Sequence, residues 1–458
     1  MTLHDYLSDI QHKTVAVIGA GVSNTPLIGL LRRAGIAVTV HDRKEAGDLG
    51  EQYGALAALG CTFSLGEGYL DTLTEDIIFR TPGVHPNKPQ LDAVRARGGT
   101  VTSEMELFFA VCPCPIIGIT GSDGKTTTTT LTCKFLEQAG YTCHLGGNIG
   151  KPLLPEVDTI APDHLAVVEL SSFQLMGMAY SPAVSAITNL TPNHLDYHRD
   201  FDEYVNAKTA IYTHQTAGGR LILNADDPVT RKLTLNPASA LSWCTKQGKP
   251  ETGVYLENNI IYIAENGVSR PLMNAADIRI PGAHNVSNVM MAAAIVQGYC
   301  KDEDIVHVAK TFGGVEHRIE FVRELDGVRY YNDSIASSPT RTMAGLNSFA
   351  QKLILIAGGY DKHIPYDVLG QPICEHVKTL ILTGATAPKI KDATLAAPSA
   401  EKPAMHDAAD LKDAVRIARE VAQPGDVVIL SPASASFDCF KNFMERGNLF
   451  KQFVHELN

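Results

Sequence analysis

The stretch that most constrains the fold is Ile116-Ile117-Gly118-Ile119-Thr120-Gly121-Ser122-Asp123-Gly124-Lys125-Thr126. An apolar run from Pro115 to Ile119, read as a buried strand, breaks into glycines and opens a helix-length segment closed by Gly140. Strand, glycine loop and helix in that order make a phosphate cradle. The glycines let backbone N–H groups approach phosphate oxygens, and the helix turns its positive end to the same anion. Lys125 is placed to neutralise β- and γ-phosphates, and the Thr126 hydroxyl to ligate Mg²⁺. The spacing departs from the usual pattern, because Ile119 stands where a glycine normally precedes the Gly-Lys pair and Gly118 comes one residue early.

A chain of 458 residues exceeds one compact core, and domains of roughly 100–200 residues imply about three. The predicted fold class is α/β in three domains: a Rossmann-like N-terminal domain over 1–111, a central P-loop ATPase-like α/β domain over 112–315, and a C-terminal Rossmann-like α/β domain over 316–458. The first opens with a strand from Thr14, then Gly19-Ala20-Gly21, a helix to Arg33, and a strand from Ala37 to His41 ending in Asp42. An acid at that distance from a Gly-x-Gly suits NAD, but Asn24 replaces the third glycine. A nucleotide diphosphate fits the same strand ends equally well, and Thr81-Pro82-Gly83, after the apolar Ile77 to Phe79, supplies another loop on that edge. Glu104 to Val111 reads as a connecting helix, and Cys112-Pro113-Cys114-Pro115 as a stiff boundary.

In the central stretch, Leu165 to Leu170, Val184 to Ile187 and Leu221 to Leu223 read as buried strands. Two period-2 runs between Val254 and Gly267 flank Glu257-Asn258-Asn259, a hairpin signal, and Asn285 to Tyr299 reads as a helix. Val328 to Tyr331, Leu353 to Ile356, Thr379 to Leu382 and Val427 to Leu430 are strands of the last domain. The final helix, Phe440 to Leu457, has mixed charge and reads as a solvated outer face.

The net charge of -11 offers nucleic acid no basic footprint. No apolar run approaches the roughly 18 residues of a membrane span. Small-molecule partners are therefore expected, with no nucleic acid and no membrane, for a chain acting as a monomer. Met1 to Lys13 carries Asp5 and Asp9 and lacks an apolar stretch, so a cytoplasmic location without a secretory signal is expected. Nine cysteines suit reduced thiols. Cys112 and Cys114 are too close for a Cys-x-x-Cys motif, and no functional pair is expected there.

Two further clusters carry chemistry. Glu169-Leu170-Ser171-Ser172-Phe173-Gln174 puts a carboxylate at a strand end, where ligands collect in open α/β sheets and Mg²⁺ needs a hard oxygen. A capping role for that carboxylate is the plainer alternative. Thr191-Pro192-Asn193-His194-Leu195-Asp196-Tyr197-His198 follows another strand end; His194 and His198 have zinc-helix spacing, but the preceding proline and the absence of a glutamate beside His194 argue against zinc.

Together these residues resemble the Mur ligase family, the ATP-dependent amide ligases of peptidoglycan precursor synthesis, along the whole chain. Thr120 to Thr126 resembles the family's ATP loop, with Asp123 where asparagine is usual. His284-Asn285-Val286-Ser287-Asn288 and His317-Arg318-Ile319-Glu320 resemble its adenine and phosphate contacts. Gly146-Gly147-Asn148-Ile149-Gly150, Glu169 to Leu175, Tyr331-Asn332-Asp333-Ser334 and Leu430 to Asp438 are similar to the D-glutamate-adding members. The resemblance implies three substrates: UDP-N-acetylmuramoyl-L-alanine, D-glutamate and ATP. It implies two Mg²⁺ ions held by Thr126, Glu169, His194 and Lys208, with Lys125, His194 and Lys208 as catalytic residues and Lys208 carried as a carbamate. ATP contacts are implied for Gly121, Ser122, Asp123, Gly124, Lys125, Thr126, Thr127, Asn285, Asn288, Arg318 and Asp333. The UDP-sugar falls to Ala20, Ser23, Asp42, Arg43, Gly83 and Asn148, and D-glutamate to Ser337, Lys362, Ser436 and Phe443. One departure is Ile335, where many of these members have a lysine directed at phosphate; that contact is either lost or moved, with Arg341 as the candidate to take it over.

Three other readings remain open on the residues alone. A folylpolyglutamate synthase shares the ATP loop but lacks the glycine-paired first unit. An NAD-dependent oxidoreductase explains Gly19 to Asp42 and leaves the phosphate loop idle. A non-catalytic nucleotide-binding module needs neither Glu169, His194 nor Lys208.

Overall fold

The computed structural model describes residues 1–362 and 364–458. It divides into two compact units, one of Met1–Asp277 with Ser287–Ala309 and the other of Ile278–Val286 with Lys310–Asn458.

The first unit carries two sheets. The smaller is built from β1 (Val15–Ile18), β2 (Val38–Asp42), β3 (Thr62–Leu65), β4 (Ile77–Phe79) and β5 (Thr100–Thr102), in the order β3-β2-β1-β4-β5. All its pairings are parallel. The central strands β1 and β4 are continuous apolar runs buried at every residue, whereas the edge strands β3 and β5 are partly exposed, as expected where helices cover both faces. The order reverses at β1, so the loop after β1 opens at a topological switch point.

The larger sheet contains β6 (Ile116–Thr120), β7 (Cys143–Gly147), β8 (Leu165–Glu169), β9 (Val184–Ile187), β10 (Arg220–Asn224), β11 (Ala240–Thr245), β12 (Gly253–Glu257), β13 (Ile260–Glu265) and β14 (Val268–Asn274). Its order is β14-β13-β12-β11-β10-β9-β6-β8-β7. The pairings are parallel from β7 to β12 and antiparallel from there on. Asn258 and Asn259 turn the expected hairpin at φ of 49° and 62°, the left-handed region that asparagine tolerates. Strand β6 lies between β8 and β9, again a switch point, and the helix Lys125–Gln138 leaves from it.

The second unit holds β15 (Glu320–Leu325), β16 (Val328–Asn332), β17 (Leu353–Ala357), β18 (Val377–Leu382), β19 (Ala404–Asp407) and β20 (Val427–Leu430), ordered β15-β16-β20-β17-β18-β19. Only β15 with β16 is antiparallel. The last helix, Phe443–Glu456, corrects one expectation: it is not merely a solvated face, because Arg446, Gly447, Phe450 and Val454 are buried along one side of it. Those positions recur at helical spacing, and the mixed charge occupies the remaining faces. No helix among the described residues is long and apolar enough to cross a membrane.

Candidate active site

The loop after β6 is held by its neighbours on β9 and beyond. Asn189 Oδ1 accepts from the Asp123 N–H at 2.9 Å, and Thr188 Oγ1 donates to the Asp123 carbonyl at 2.6 Å. Ser122 Oγ donates to the Thr191 carbonyl at 2.9 Å and lies 2.8 Å from the Tyr204 hydroxyl. Gly124 opens the helix at φ of 78°, and a Cβ there would collide with the Asn288 side chain, so glycine is required twice over. Thr128 Oγ1 reaches the same Asn288 Oδ1 at 3.5 Å. Lys125 Nζ donates back to the Ser122 carbonyl at 2.9 Å, which holds its ammonium over the loop. Thr127 is buried in the first turn, and the Asp123 side chain is exposed, so its charge is solvated.

A carboxylate lies directly beside this loop. Glu169, at the end of β8, is 1% exposed, and both its oxygens are engaged: Thr126 Oγ1 donates to Oε2 and Asn148 Nδ2 to Oε1, each at 2.7 Å. The Asn148 N–H also donates to the Glu169 carbonyl at 2.8 Å. Gly147 makes this approach possible, at φ of 95° and at a position where a Cβ would collide with the Glu169 carbonyl oxygen. Asn148, assigned by resemblance to the UDP-sugar, is thus a partner of Glu169 in this structure.

Lys208 comes from the helix Phe201–Thr213. Its Nζ donates to Thr120 Oγ1 at 3.1 Å, beneath the start of the loop, and lies 4.9 Å from the centre of the Tyr204 ring. Only 2% of it is exposed. Burial pushes the amine well below the ordinary lysine range, Lys125 repels its proton further, and Glu169 pulls the other way. His194 stands exposed in a left-handed conformation, φ 55°, with its ring edge-on to Phe173 at 4.9 Å. Partial desolvation of the ring shifts its imidazole down, opposed by Asp196 and reinforced by Lys125 and Lys208. Lys125, Glu169, His194 and Lys208 therefore share one electrostatic neighbourhood at the C-terminal ends of β6, β8 and β9.

Hard oxygens from one carboxylate and one hydroxyl suit Mg²⁺, which takes few protein ligands and fills its sphere with water and phosphate. Among the described residues no group of three or more His, Cys, Asp or Glu gathers into an all-protein metal cage. The donor set fits a nucleotide-borne Mg²⁺ better than a structural metal.

At the smaller sheet, Asp42 accepts from the Ala20 N–H and from the Lys44 N–H, each at 2.9 Å. Asn24, which broke the glycine fingerprint, proves to be a structural substitute: its Nδ2 donates to the Ile18 and Gly19 carbonyls at 2.9 and 3.0 Å and closes the turn. Ser23 caps that helix without a side-chain bond, and Arg43 and Gly83 are exposed at the same strand ends. The Gly83 loop is tied to the phosphate-loop side, because Tyr197 donates to the Pro82 carbonyl at 3.0 Å, and Arg80 donates to the Val84 and Met176 carbonyls at 2.8 and 2.9 Å.

Within the second unit, Asp333 is buried and accepts from Ser431 Oγ at 2.7 Å; burial pushes its carboxyl up to about 7, against Ser431, the Ile319 N–H and Arg318. Arg318 sits between His317 and Ile319, at φ of 62° and 45°. Asn285 donates to the Pro281 carbonyl at 2.6 Å. Ser436 is buried, Ser337 and Phe443 are half-buried, and Lys362 is exposed beyond β17. Arg341, the candidate to compensate for Ile335, donates to the Ile335 carbonyl at 3.3 Å. A residue absent from the expectations organises this end. Arg446, 3% exposed, donates to Ser334 Oγ and the Ser334 carbonyl at 3.0 and 2.9 Å, and to the Ser434 and Ala435 carbonyls at 3.1 and 2.9 Å. Ser334 Oγ in turn donates to the Phe443 carbonyl at 2.8 Å. The only sequence signal was an arginine followed by Gly447, where a Cβ would collide with the His317 ring.

Comparison with known proteins gives one consistent match. Residues 119–296 match the family model described as Mur ligase middle domain, and residues 317–434 that described as Mur ligase, glutamate ligase domain. A protein of Acetivibrio thermocellus named UDP-N-acetylmuramoylalanine--D-glutamate ligase is 49% identical, over 99% of this chain and 99% of its own. One of the same name from Ruminiclostridium cellulolyticum is 44% identical, again over 99% of both chains. Among solved structures, the UDP-N-acetylmuramate-alanine ligase of Thermotoga maritima shares the fold at a TM-score of 0.56 and 16% identity, covering 97% of this chain and 99% of that one.

Proposed function

The chain belongs to the Mur ligase family, and from that premise we propose that it joins D-glutamate to UDP-N-acetylmuramoyl-L-alanine in an ATP-driven step of peptidoglycan precursor synthesis. The substrate carboxylate attacks the γ-phosphate in line, giving an acyl phosphate and ADP, and the D-glutamate amine then displaces phosphate. The observation that carries this reading is the Glu169 carboxylate held between Thr126 of the phosphate-loop helix and Asn148. A phosphate cradle and a buried hard ligand side by side are what phosphoryl transfer requires.

We assign Thr126, Glu169, His194 and Lys208 to Mg²⁺, which when bound would neutralise charge on the phosphates. Lys125, whose ammonium lies over the Ser122 carbonyl, is assigned to the γ-phosphate. Lys208 supports a finer assignment: an ammonium would repel the metals, whereas an amine kept neutral by burial takes up CO₂ to give an anionic carbamate. The loops bearing Ala20, Ser23, Asp42, Arg43 and Gly83 are assigned to the UDP-sugar. In the second unit, Ser337, Lys362, Ser436 and Phe443 are assigned to D-glutamate, where a cation and hydroxyls suit a dicarboxylate. Three soluble substrates and a net charge of -11 support action in the cytoplasm without a nucleic-acid partner.

The test is ADP release with UDP-N-acetylmuramoyl-L-alanine and each of D-glutamate, L-glutamate, L-lysine and glycine. ADP in step with amide product is expected for D-glutamate alone. Turnover with another amino acid and not with D-glutamate would overturn the substrate assignment, and ADP in no case would overturn the ligase reading.

A further inference from the structure

Cys112 and Cys114 stand where the helix Glu104–Val111 passes into β6, with Pro113 between them and Pro115 after them. Two prolines fix φ on alternate residues, so this segment has little freedom to spread. The two sulfurs lie 3.6 Å apart, and Cys112 Sγ is also 3.6 Å from the Cys114 carbonyl oxygen. A disulfide needs about 2 Å between sulfurs, a closure of about 1.5 Å that side-chain torsions can supply. Spacing alone gave no reason to expect a functional pair; the folded segment provides one.

All nine cysteines are free thiols, and this pair is the one held on a segment with two prolines. Cys114 is 5% exposed and Cys112 is half-buried, so a reagent from solvent meets Cys112 first. The two sulfurs share a hydrogen bond in which either thiol can donate, and their interaction draws Cys112 below the ordinary thiol range and Cys114 above it. Elsewhere the shifts run upward: Cys133 is raised by Cys143 and burial, Cys439 by burial and Asp438, and Cys61, Cys244 and Cys300 chiefly by burial.

We propose that Cys112 and Cys114 form a dithiol modification site that reacts with low-molecular-weight disulfides. The Cys112 thiolate attacks one sulfur of R–S–S–R, the S–S bond breaks, and R–S⁻ leaves and takes a proton. Cys114 then gives up its proton to water and attacks the Cys112 sulfur, expelling the second R–S⁻ and closing an internal disulfide. Two protein thiols lose two electrons and two protons, and the external disulfide gains both as two thiols. The order is built in. Once Cys112 carries the mixed disulfide, the charge that held the Cys114 proton has gone and the resolving thiol is adjacent.

The experiment treats the full-length reduced protein with excess oxidised glutathione, quenches with an alkylating agent at intervals, and maps the peptides by mass. An internal disulfide between Cys112 and Cys114 should form about tenfold or more faster than the exposed Cys439 is modified, and dithiothreitol should reverse it. Cys114→Ser should stop at a mixed disulfide on Cys112. Modification of Cys439 while Cys112 and Cys114 stay reduced would overturn the proposal, and this wild-type arm needs no variant to fold. A folded Cys114→Ser protein that accumulates no mixed disulfide on Cys112 would overturn it as well.

Discussion

Thr126 Oγ1 donates to Glu169 Oε2 at 2.7 Å, so the first turn of the phosphate-loop helix and the end of β8 share one carboxylate oxygen. Glu169→Gln keeps the shape and removes the charge that a divalent cation needs. The Mg²⁺ concentration giving half-maximal turnover should rise at least about tenfold, since altered donors in and around such sites cost roughly 10–100-fold. An unchanged Mg²⁺ titration would make Glu169 a structural cap.

Lys208 should show opposite effects on stability and turnover. Its folded proton affinity is well below the unfolded one. Between those two values the unfolded state binds more protons, so stability rises with pH across the window and the lysine destabilises the fold at neutral pH. Lys208→Met removes that penalty and should stabilise the first unit by about 1–3 kcal/mol in denaturant titrations. It should also abolish ADP release. Lys208→Arg, which cannot become a neutral amine at these pH values, should be equally inactive.

Glu104 offers a pH test away from the candidate site. It is 5% exposed, its Oε1 has no hydrogen-bond partner, and burial pushes its carboxyl up to about 7, opposed by the Leu154 N–H. Here the folded state binds more protons between the ordinary glutamate value and about 7. Stability therefore falls as pH rises through that window and levels off above it. Glu104→Gln should gain about 2–3 kcal/mol over wild type at pH 8 and little at pH 4. Equal differences at both pH values would show that Glu104 is not the titrating group.

Much of this was legible in the sequence, for a physical reason. Buried parallel strands are continuous apolar runs, so Ile77–Phe79, Val184–Ile187 and Val427–Leu430 fall where the pattern put them. The helix Glu104–Val111, capped by the Ser103 side chain, was equally plain. The Lys125 loop was readable because its residues are contiguous. Contacts between distant residues were not: Lys208 meets Thr120 across 88 positions, and Asn148 meets Glu169 rather than standing apart from it. Thr188 and Asn189 could have been suspected, since they end a strand next to β6. Arg446 was hidden because a buried arginine on a mixed-charge helix looks like any other exposed one.

Arg446 and Lys362 should separate structure from binding. Arg446→Met leaves the carbonyls of Ser334 and Ser434 without their donor, while the Ala435 carbonyl keeps the Tyr360 N–H; at about 1–3 kcal/mol per buried group this should destabilise the second unit by several kcal/mol. Lys362→Ala, at an exposed position, should leave stability unchanged. It should raise the KM for D-glutamate far more than that for ATP. Equal rises for both substrates would remove Lys362 from the amino-acid site.

The clamps on the phosphate loop also set a timetable for synthesis. A ribosome that has released Gln138 has delivered every glycine of the loop and the whole helix after it, yet none of Thr188, Asn189, Thr191, Tyr204 or Lys208 has been made. Asn288, against which Gly124 packs, follows later still. Domains fold as units while the chain emerges, and the loop after β6 lacks its full set of clamps until more than half of the chain has been translated. Nascent chains stalled at successive lengths should begin to retain ATP only after Asn288 has cleared the exit tunnel.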